Sequence, residues 1–458
     1  MIPAKHTKIF QIITLSVIKA RERGKKDTRC YLVGGYVRDY LIGKEPKDID
    51  CVCNNIDDVL AELETILNAK NIHFKKQVYQ AFGTRLYHFL EENVEFVLPR
   101  RESYREYTSR NPEIKEGTFK DDAFRRDFTV NAIYLSLNPE DYLKPVDLTK
   151  RGISDLKKMV LDTPLDPSIT FNEDPLRMLR LARFYAVKGF KPVKRVVESC
   201  KKNANRLSII KTERVEEEIM KSIVSPTYFE VLYELGLLFI VFPELKNIEG
   251  LKQEEKWHKN DVLIHTFLVV RCLPPIMRLA GLYHDTGKII IKKTGTFYEH
   301  EKLSVELARS RLHSLKFPKE IIDYTTFIIK NHMRLLFLLN EEQITSKATR
   351  RFMKEFGDKI CDLITFFKCD IYGDGVNIKE QIQKLETFMQ QMKNVELSCP
   401  VPQKLAIDGN DVMRVLDLKH GGEIVGRILH EIMQKVVDQE IQNEKMILIE
   451  HVKTTYKK

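Results

Sequence analysis

At 458 residues, 43% hydrophobic and 31% charged, the chain is long enough for two to four domains with buried cores. It has no apolar run of about eighteen residues, and its N-terminal stretch lacks a signal peptide's pattern, so no membrane span or membrane partner is expected and a cytoplasmic location is predicted. The net charge of +10 favours a polyanionic partner, and the eight scattered cysteines, with no CxxC pair, read as reduced and mostly buried thiols.

Residues 30–150 alternate β-type runs (YLVGGYV, IDCVC, VEFVL, FTVNAIYLSL) with helix-like stretches such as IDDVLAELETILNAK. Beyond Pro145, and above all from Asp174 onward, helical periodicity dominates, broken by short turns such as SPT, FPE and KFPKE. The predicted fold class is therefore α+β: a mixed head over 1–148, then an all-α neck (149–250), body (251–395) and tail (396–458).

The first stretch with chemical content is Leu32-Val-Gly-Gly-Tyr-Val-Arg-Asp39, followed by Lys47-Asp-Ile-Asp-Cys-Val52. Gly34 and Gly35 after a strand let backbone N–H groups approach a phosphate closely, and Arg38 follows near a helix N-terminus. Asp48 and Asp50 alternate along a strand, so their carboxylates point to one face. Glu95, in VEFV on a later strand, supplies a plausible third carboxylate. Such a set can hold two Mg²⁺ ions that flank a phosphoryl displacement. A Gly-Gly alone is usually a turn and an Asp-x-Asp alone a solvated strand end; their conjunction around Arg38 is far rarer.

These residues resemble the nucleotidyltransferase superfamily of DNA polymerase β and, within it, the class II tRNA nucleotidyltransferases and bacterial poly(A) polymerases. Arg125-Arg-Asp-Phe-Thr-Val-Asn-Ala132 is similar to that family's second signature. The resemblance implies that Arg126, Asp127 and Asn131 bind the phosphates and ribose of a nucleotide. It also implies a polymerase-β-like head domain.

In the neck, Glu173-Asp-Pro-Leu-Arg-Met-Leu-Arg180 resembles the family's nucleotide-reading helix. Asp174 and Arg177, at i and i+3, are expected on one helix face. A carboxylate and a guanidinium complement the donor–acceptor edge that cytosine and adenine share, whereas guanine and uracil present the reverse. Arg180 is carried over with this set as nucleotide-binding. Thr212-Glu-Arg-Val-Glu-Glu-Glu218 resembles the next family motif, which braces the neck. The basic stretch 188–206 suits a phosphate-tracking surface or a merely solvated face.

In the body, His265, His284-Asp285, His300, His332 and Asp370 follow the order of the HD superfamily of metal-dependent phosphohydrolases. The resemblance implies a primary site from His265, His284, Asp285 and Asp370, with His300 and His332 completing a second. Ni²⁺ or Mn²⁺ suits such ligands. In the tail, Leu405–Asp411 and Lys419–Gly426 resemble the family's tRNA-docking segment, read here as two amphipathic helices around a Gly-containing turn.

The resemblance implies template-independent addition of CCA to the 3′ end of tRNA from CTP and ATP. A-only addition and poly(A) synthesis share these motifs, and a metal-dependent HD phosphohydrolase with a secondary head is the alternative from another class. Phe82-Gly-Thr84 stands where poly(A) polymerases of the family carry a Gly-Arg-Arg-Phe element, which favours tRNA. The stretch Tyr104–Thr118 resembles the flexible loop that CC-adding members shorten, which argues against CC-only addition.

Overall fold

The computed structural model describes residues 2–79, 83–103, 113–253, 259–290, 299–398 and 401–457. Phe82 and residues 104–112, on which two of the sequence expectations rest, lie outside this set. The chain divides into two compact units, Met1–Pro243 and Glu244–Lys458.

The first unit is built on a seven-stranded sheet in the order β3-β4-β5-β2-β1-β8-β9. These strands are β1 (Cys30–Val33), β2 (Ile49–Cys53), β3 (Phe74–Tyr79), β4 (Thr84–Phe89), β5 (Glu92–Val97), β8 (Ile133–Ser136) and β9 (Pro145–Asp147); β6 (Arg100–Ser103) and β7 (Glu113–Glu116) form a separate hairpin. All neighbours in the large sheet are antiparallel except β2 and β5. Helices α1 (Ala4–Glu22), α2 (Gly35–Leu41), α3 (Ile56–Ala69) and α4 (Phe119–Phe124) complete the head. In α3 the apolar residues Ile56, Val59, Leu60, Leu63, Ile66 and Leu67 fall at three- and four-residue steps and are all buried, while Asp57 and Asp58 sit in its positive first turn. The strand β2 is buried everywhere except at Asp50, which is half-buried. Asp50 is thus the one position of that strand that water can reach.

The neck follows as α5 (Gly152–Lys157), α6 (Pro167–Glu173), α7 (Leu176–Lys188), α8 (Lys194–Asn203), α9 (Thr212–Ser222), α10 (Tyr228–Glu234) and α11 (Leu238–Val241). Asp174 and Arg177 do not share a helix face as expected. Asp174 has an extended backbone between α6 and α7, and its side chain accepts from the Leu176 N–H at the start of α7. Pro175 explains the break: it restricts the residue before it to extended conformations. Asp48 likewise lies just ahead of β2 rather than on it.

Among the described residues of the second unit all regular secondary structure is helical, including Val262–Cys272 (α12), Arg278–Tyr283 (α13) and Lys445–Tyr456. Its tail has a core of Ile407, Val412, Val425, Ile428, Ile432, Val436, Leu448 and Val452. Asp408 caps the first tail helix, accepting from Asn410 and Asp411 N–H groups, and Asp411 reciprocates. Gly421 packs against Met413, whereas Gly422 and Gly426 face open space, so a packing role holds for Gly421 alone.

The cysteines correct one expectation. Cys30 and Cys53 are cross-strand partners in β1 and β2 and form a disulfide, and Cys272 in α12 is bonded to Cys369 in the Ile360–Asp374 helix. Spacing along the chain carried no sign of these pairs because sheet register and helix packing create them. Cys51, Cys200 and Cys361 are free thiols.

Candidate functional site

In the head, β1 turns into α2 through Gly34, whose φ of +77° is a left-handed conformation that favours glycine. A side chain there would lie 3.5 Å from Asp50 Oδ2 and 3.7 Å from Arg126 Nη1. The turn thus sits between the acidic and basic parts of the site. Asp50 and Glu95 are direct partners in the parallel β2–β5 pair and share a face. Burial, then the charge of Glu95, push the Asp50 carboxyl up to about 7, with Arg126 opposing and Asp48 adding. Among the described residues, however, Asp48, Asp50 and Glu95 are not one of the acidic or histidine groups whose ligand atoms converge within reach of one ion.

Arg38 is buried and donates to Asn131 Oδ1 (2.8 Å) and Asp39 Oδ1 (2.8 Å), its guanidinium 5.0 Å from the Phe184 ring centre. Asn131 donates to Asp127 Oδ1 (2.9 Å), and Arg180 donates to Asp127 Oδ2 through Nε (2.8 Å). One continuous chain of contacts therefore joins α2, the segment after α4, and α7. Burial opposes the charge of Asp127, but Arg180, Asn131 and Arg177 overcome it and hold the carboxyl down at about 2.

Arg177 is buried and donates to the Thr170 carbonyl (3.1 Å), Glu173 Oε2 (3.0 Å) and the Arg125 carbonyl (2.5 Å). Asp174 turns its second oxygen to Arg214 of α9, at 3.0 Å. Glu218 of the same helix receives Arg183 Nε at 2.8 Å and lies 3.7 Å from Arg180 Nη1. The Thr212–Glu218 segment thus braces α7 by ion pairs, as the sequence suggested.

Asp122 carries no motif of its own in the sequence. This carboxylate is wholly buried in α4, four residues before Arg126 and three before Arg125, and it binds both guanidiniums. Its only trace in the sequence is that spacing.

The second unit brings the six body residues together. The Nε2 atoms of His265 and His284 lie 3.1 Å apart, and Asp370 Oδ1 is 3.1 Å from the first and 3.3 Å from the second. Asp285 turns Oδ2 to His284 Nε2 (3.3 Å) and Oδ1 to His300 Nε2 (3.2 Å), which lies 3.2 Å from His332 Nε2. Two ligand groups share Asp285 (His265, His284 and Asp285; Asp285, His300 and His332), and His265 also belongs to a third with Asp370 and Asp374. The Nδ1 atoms of His284 and His332 meet the carbonyls of Gly281 (2.8 Å) and Ile329 (2.7 Å). That commits the proton to Nδ1 and turns a lone pair on Nε2 inward, as metal ligation requires. Gly287 allows the set to close, because a side chain there would meet the His300 carbonyl at 2.0 Å.

Burial works against an imidazolium at His284, yet Asp285 and Asp370 outweigh it and raise this group to about 10. Without a metal His284 would therefore carry a proton on Nε2 as well, and a cation held by the same carboxylates would take that proton's place. Two further residues were not foreseen. Asp374, one turn beyond Asp370, lies 3.3 Å from His265 Nδ1, and Lys288 Nζ is 2.7 Å from Asp285 Oδ2. A cavity of about 470 Å³ opens onto Asp285, His300 and Asp370, with Phe337 and Phe367 on its wall.

Comparison with known proteins matches three family models to the chain: the poly A polymerase head domain to residues 30–162, the "Probable RNA and SrmB- binding site of polymerase A" to 189–249, and tRNA nucleotidyltransferase domain 2 to 297–452. The chain is 28% identical over 422 residues to the CC-adding tRNA nucleotidyltransferase of Thermus thermophilus, a match covering 88% of each chain. It is 31% identical over 353 residues to the Multifunctional CCA protein of Pasteurella multocida, covering 70% of this chain and 78% of that one. Its fold is similar to the Bacillus stearothermophilus CCA-adding enzyme in complex with CTP, with a TM-score of 0.63 at 19% identity over 98% and 97% of the two chains. The Thermotoga maritima CCA-adding enzyme complexed with tRNA gives a TM-score of 0.63 at 19% identity over 99% and 96%.

Proposed function

The chain belongs to the family of class II tRNA nucleotidyltransferases and bacterial poly(A) polymerases, and on that premise we propose that it adds CCA to the 3′ end of tRNA from CTP and ATP. The observation that carries this reading is the Gly34 corner, where a backbone turn able to admit phosphate stands between Asp50 and Arg126. Arg38 and Arg126 hold the triphosphate, and Asp127 and Asn131 accept and orient the ribose. Asp48, Asp50 and Glu95 hold divalent cations, Mg²⁺ in this reading. Such ions supply Lewis-acid activation of the attacking hydroxyl and neutralise developing charge.

Asp174 and Arg177 select the base. Arg177 is fixed by three acceptors before any nucleotide arrives, so its guanidinium plane is set in advance. The location is cytoplasmic, and the four parts 1–148, 149–250, 251–395 and 396–458 serve as catalytic head, base-reading neck, metal-binding body and tRNA-docking tail. In the body His265, His284, Asp285 and Asp370 hold one ion and His300 and His332, with Asp285, a second. Ni²⁺ or Mn²⁺ there would support hydrolysis of a phosphate ester.

Because one relative is a CC-adding enzyme, CC-only addition is the second reading. The test offers purified protein and Mg²⁺ transcripts ending at the discriminator base, at C and at CC, each with labelled CTP or ATP. Completion to CCA on the first supports the main reading. A stop after CC supports the second, A alone on the CC-ended transcript an A-adding enzyme, and long adenylate tails a poly(A) polymerase. No addition at all removes the reading and leaves the body's metal centre as the seat of activity.

A further inference from the structure

Asp122 is 0% exposed and its two oxygens receive five donors. Oδ1 accepts from Arg125 Nε (2.9 Å) and Nη2 (2.6 Å). Oδ2 accepts from Arg126 Nε (3.1 Å), Arg126 Nη2 (2.9 Å) and the Tyr134 hydroxyl (2.7 Å). A buried carboxylate needs such pairing, and one guanidinium would suffice for it. Here it holds two, so the cluster keeps a net positive charge.

The direction of that charge is informative. Arg126 gives its Nε–Nη2 edge to Asp122, and the remaining nitrogen, Nη1, lies toward the Gly34 turn and Asp50. Arg125 is pinned by the same carboxylate, and its backbone carbonyl accepts from Arg177 Nη2 at 2.5 Å. Asp122 therefore lies behind both the phosphate side and the base side of the nucleotide site.

We propose that Asp122 is a positioning residue for nucleotide binding: it aims Arg126 at the triphosphate corner and steadies, through Arg125, the carbonyl that holds Arg177. The inference rests on the reading of the head as a nucleotide site. A purely structural ion cluster would have no reason to turn an arginine edge toward Gly34. The pairing also differs from an ordinary surface bridge, because Asp122 is sealed from water and screening is weak.

The experiment measures calorimetric Kd values for ATP and for tRNA on the full chain with Mg²⁺, for wild type, Asp122→Asn, Arg126→Lys and the double variant. Asparagine keeps the shape and removes the charge. The ATP Kd is expected to rise about tenfold, the size of one lost charge-assisted hydrogen bond, with the tRNA Kd and the binding stoichiometry unchanged. In the double variant the loss added by Asp122→Asn is expected to be clearly smaller than its tenfold effect on wild type, since the first residue acts in part through the second.

A merely structural role predicts lower stoichiometry and melting temperature with an unmoved ATP Kd, and that result overturns the proposal. So does strict additivity in the double variant. If Asp122→Asn does not fold, Tyr134→Phe removes one of the five donors. A selective rise of about twofold in the ATP Kd is then expected, and no rise overturns the proposal. Wild type that binds ATP but extends no tRNA sinks the functional reading while the Kd comparison still decides Asp122. Wild type that binds no nucleotide overturns both.

Discussion

Asp50 and Glu95 face each other across adjacent parallel strands, β2 and β5, with Arg126 as the counter-charge. The arrangement disfavours two ionised carboxylates at once, and burial is the larger part of that penalty. The Asp50 carboxyl titrates near 7 in the folded chain and near its ordinary value of about 4 in the unfolded one. The folded state therefore holds an extra proton between about pH 4 and 7. Metal-free protein should lose stability as pH rises through that window and level off above it. Asp50→Asn should flatten the profile, and Mg²⁺ should restore stability above pH 7. Melting curves in chelator across pH 4–8 check this; parallel profiles for wild type and variant would contradict it.

Gly34→Ala asks for a β-carbon at φ +77° and ψ −136°, a backbone region that essentially only glycine visits, at a cost of about 1–3 kcal/mol. Its neighbours, Asp50 Oδ2 at 3.5 Å and Arg126 Nη1 at 3.7 Å, are ordinary contacts, so collision adds little. The expected outcome is a modest fall in melting temperature together with a larger loss of nucleotide addition. Equal losses in both would mean that the turn matters for folding alone.

Arg214 pairs with Asp174 at 3.0 Å, but it is 48% exposed and Asp174 24%. Exposed pairs contribute about 0–1 kcal/mol. Arg214→Ala should hardly change stability and should leave the choice of C and A over G and U intact. Arg177→Ala is the opposite case: it removes a buried guanidinium from three acceptors, which are left without that donor. A loss of about 2–4 kcal/mol in stability is expected, with misincorporation of UTP and GTP in primer-extension assays. Unchanged selectivity in that variant would remove Arg177 from base reading.

The motif residues of both sites were legible in the sequence because each carries its chemistry in its own type: carboxylates at i and i+2, histidines in a fixed order. What the sequence left dark is pairing across distance. Asp122 looks like any acidic residue in a charged stretch until burial and two arginines give it a task. Asp374 is one more acid near a helix end until α12 brings His265 against it. The face shared by Asp174 and Arg177 was misjudged because Pro175, sound as a helix-first residue, also forces the residue before it out of the helix. The disulfides were invisible for the same reason as Asp374, since only tertiary packing brings their partners together.

The body's two ligand groups depend unequally on their acids. Asp285 belongs to both, with Oδ2 3.3 Å from His284 and Oδ1 3.2 Å from His300. Asp285→Asn should therefore abolish both ions, measured as metal content after equilibration with Mn²⁺ or Ni²⁺. Asp374 belongs instead to the group of His265 and Asp370, 3.3 Å from His265 Nδ1. By orienting that ring it should tune only the first site, and Asp374→Asn should weaken one of two binding events by about 10–100-fold. His332, by contrast, is lowered to about 3 by burial and the neighbouring His300, so it is neutral and ready to ligate at any working pH. Addition to tRNA by the head should be unaffected in both variants. Equal loss of both ions in Asp374→Asn would mean that the two groups form one inseparable centre, whereas full metal content in Asp285→Asn would show that the carboxylate does not bridge.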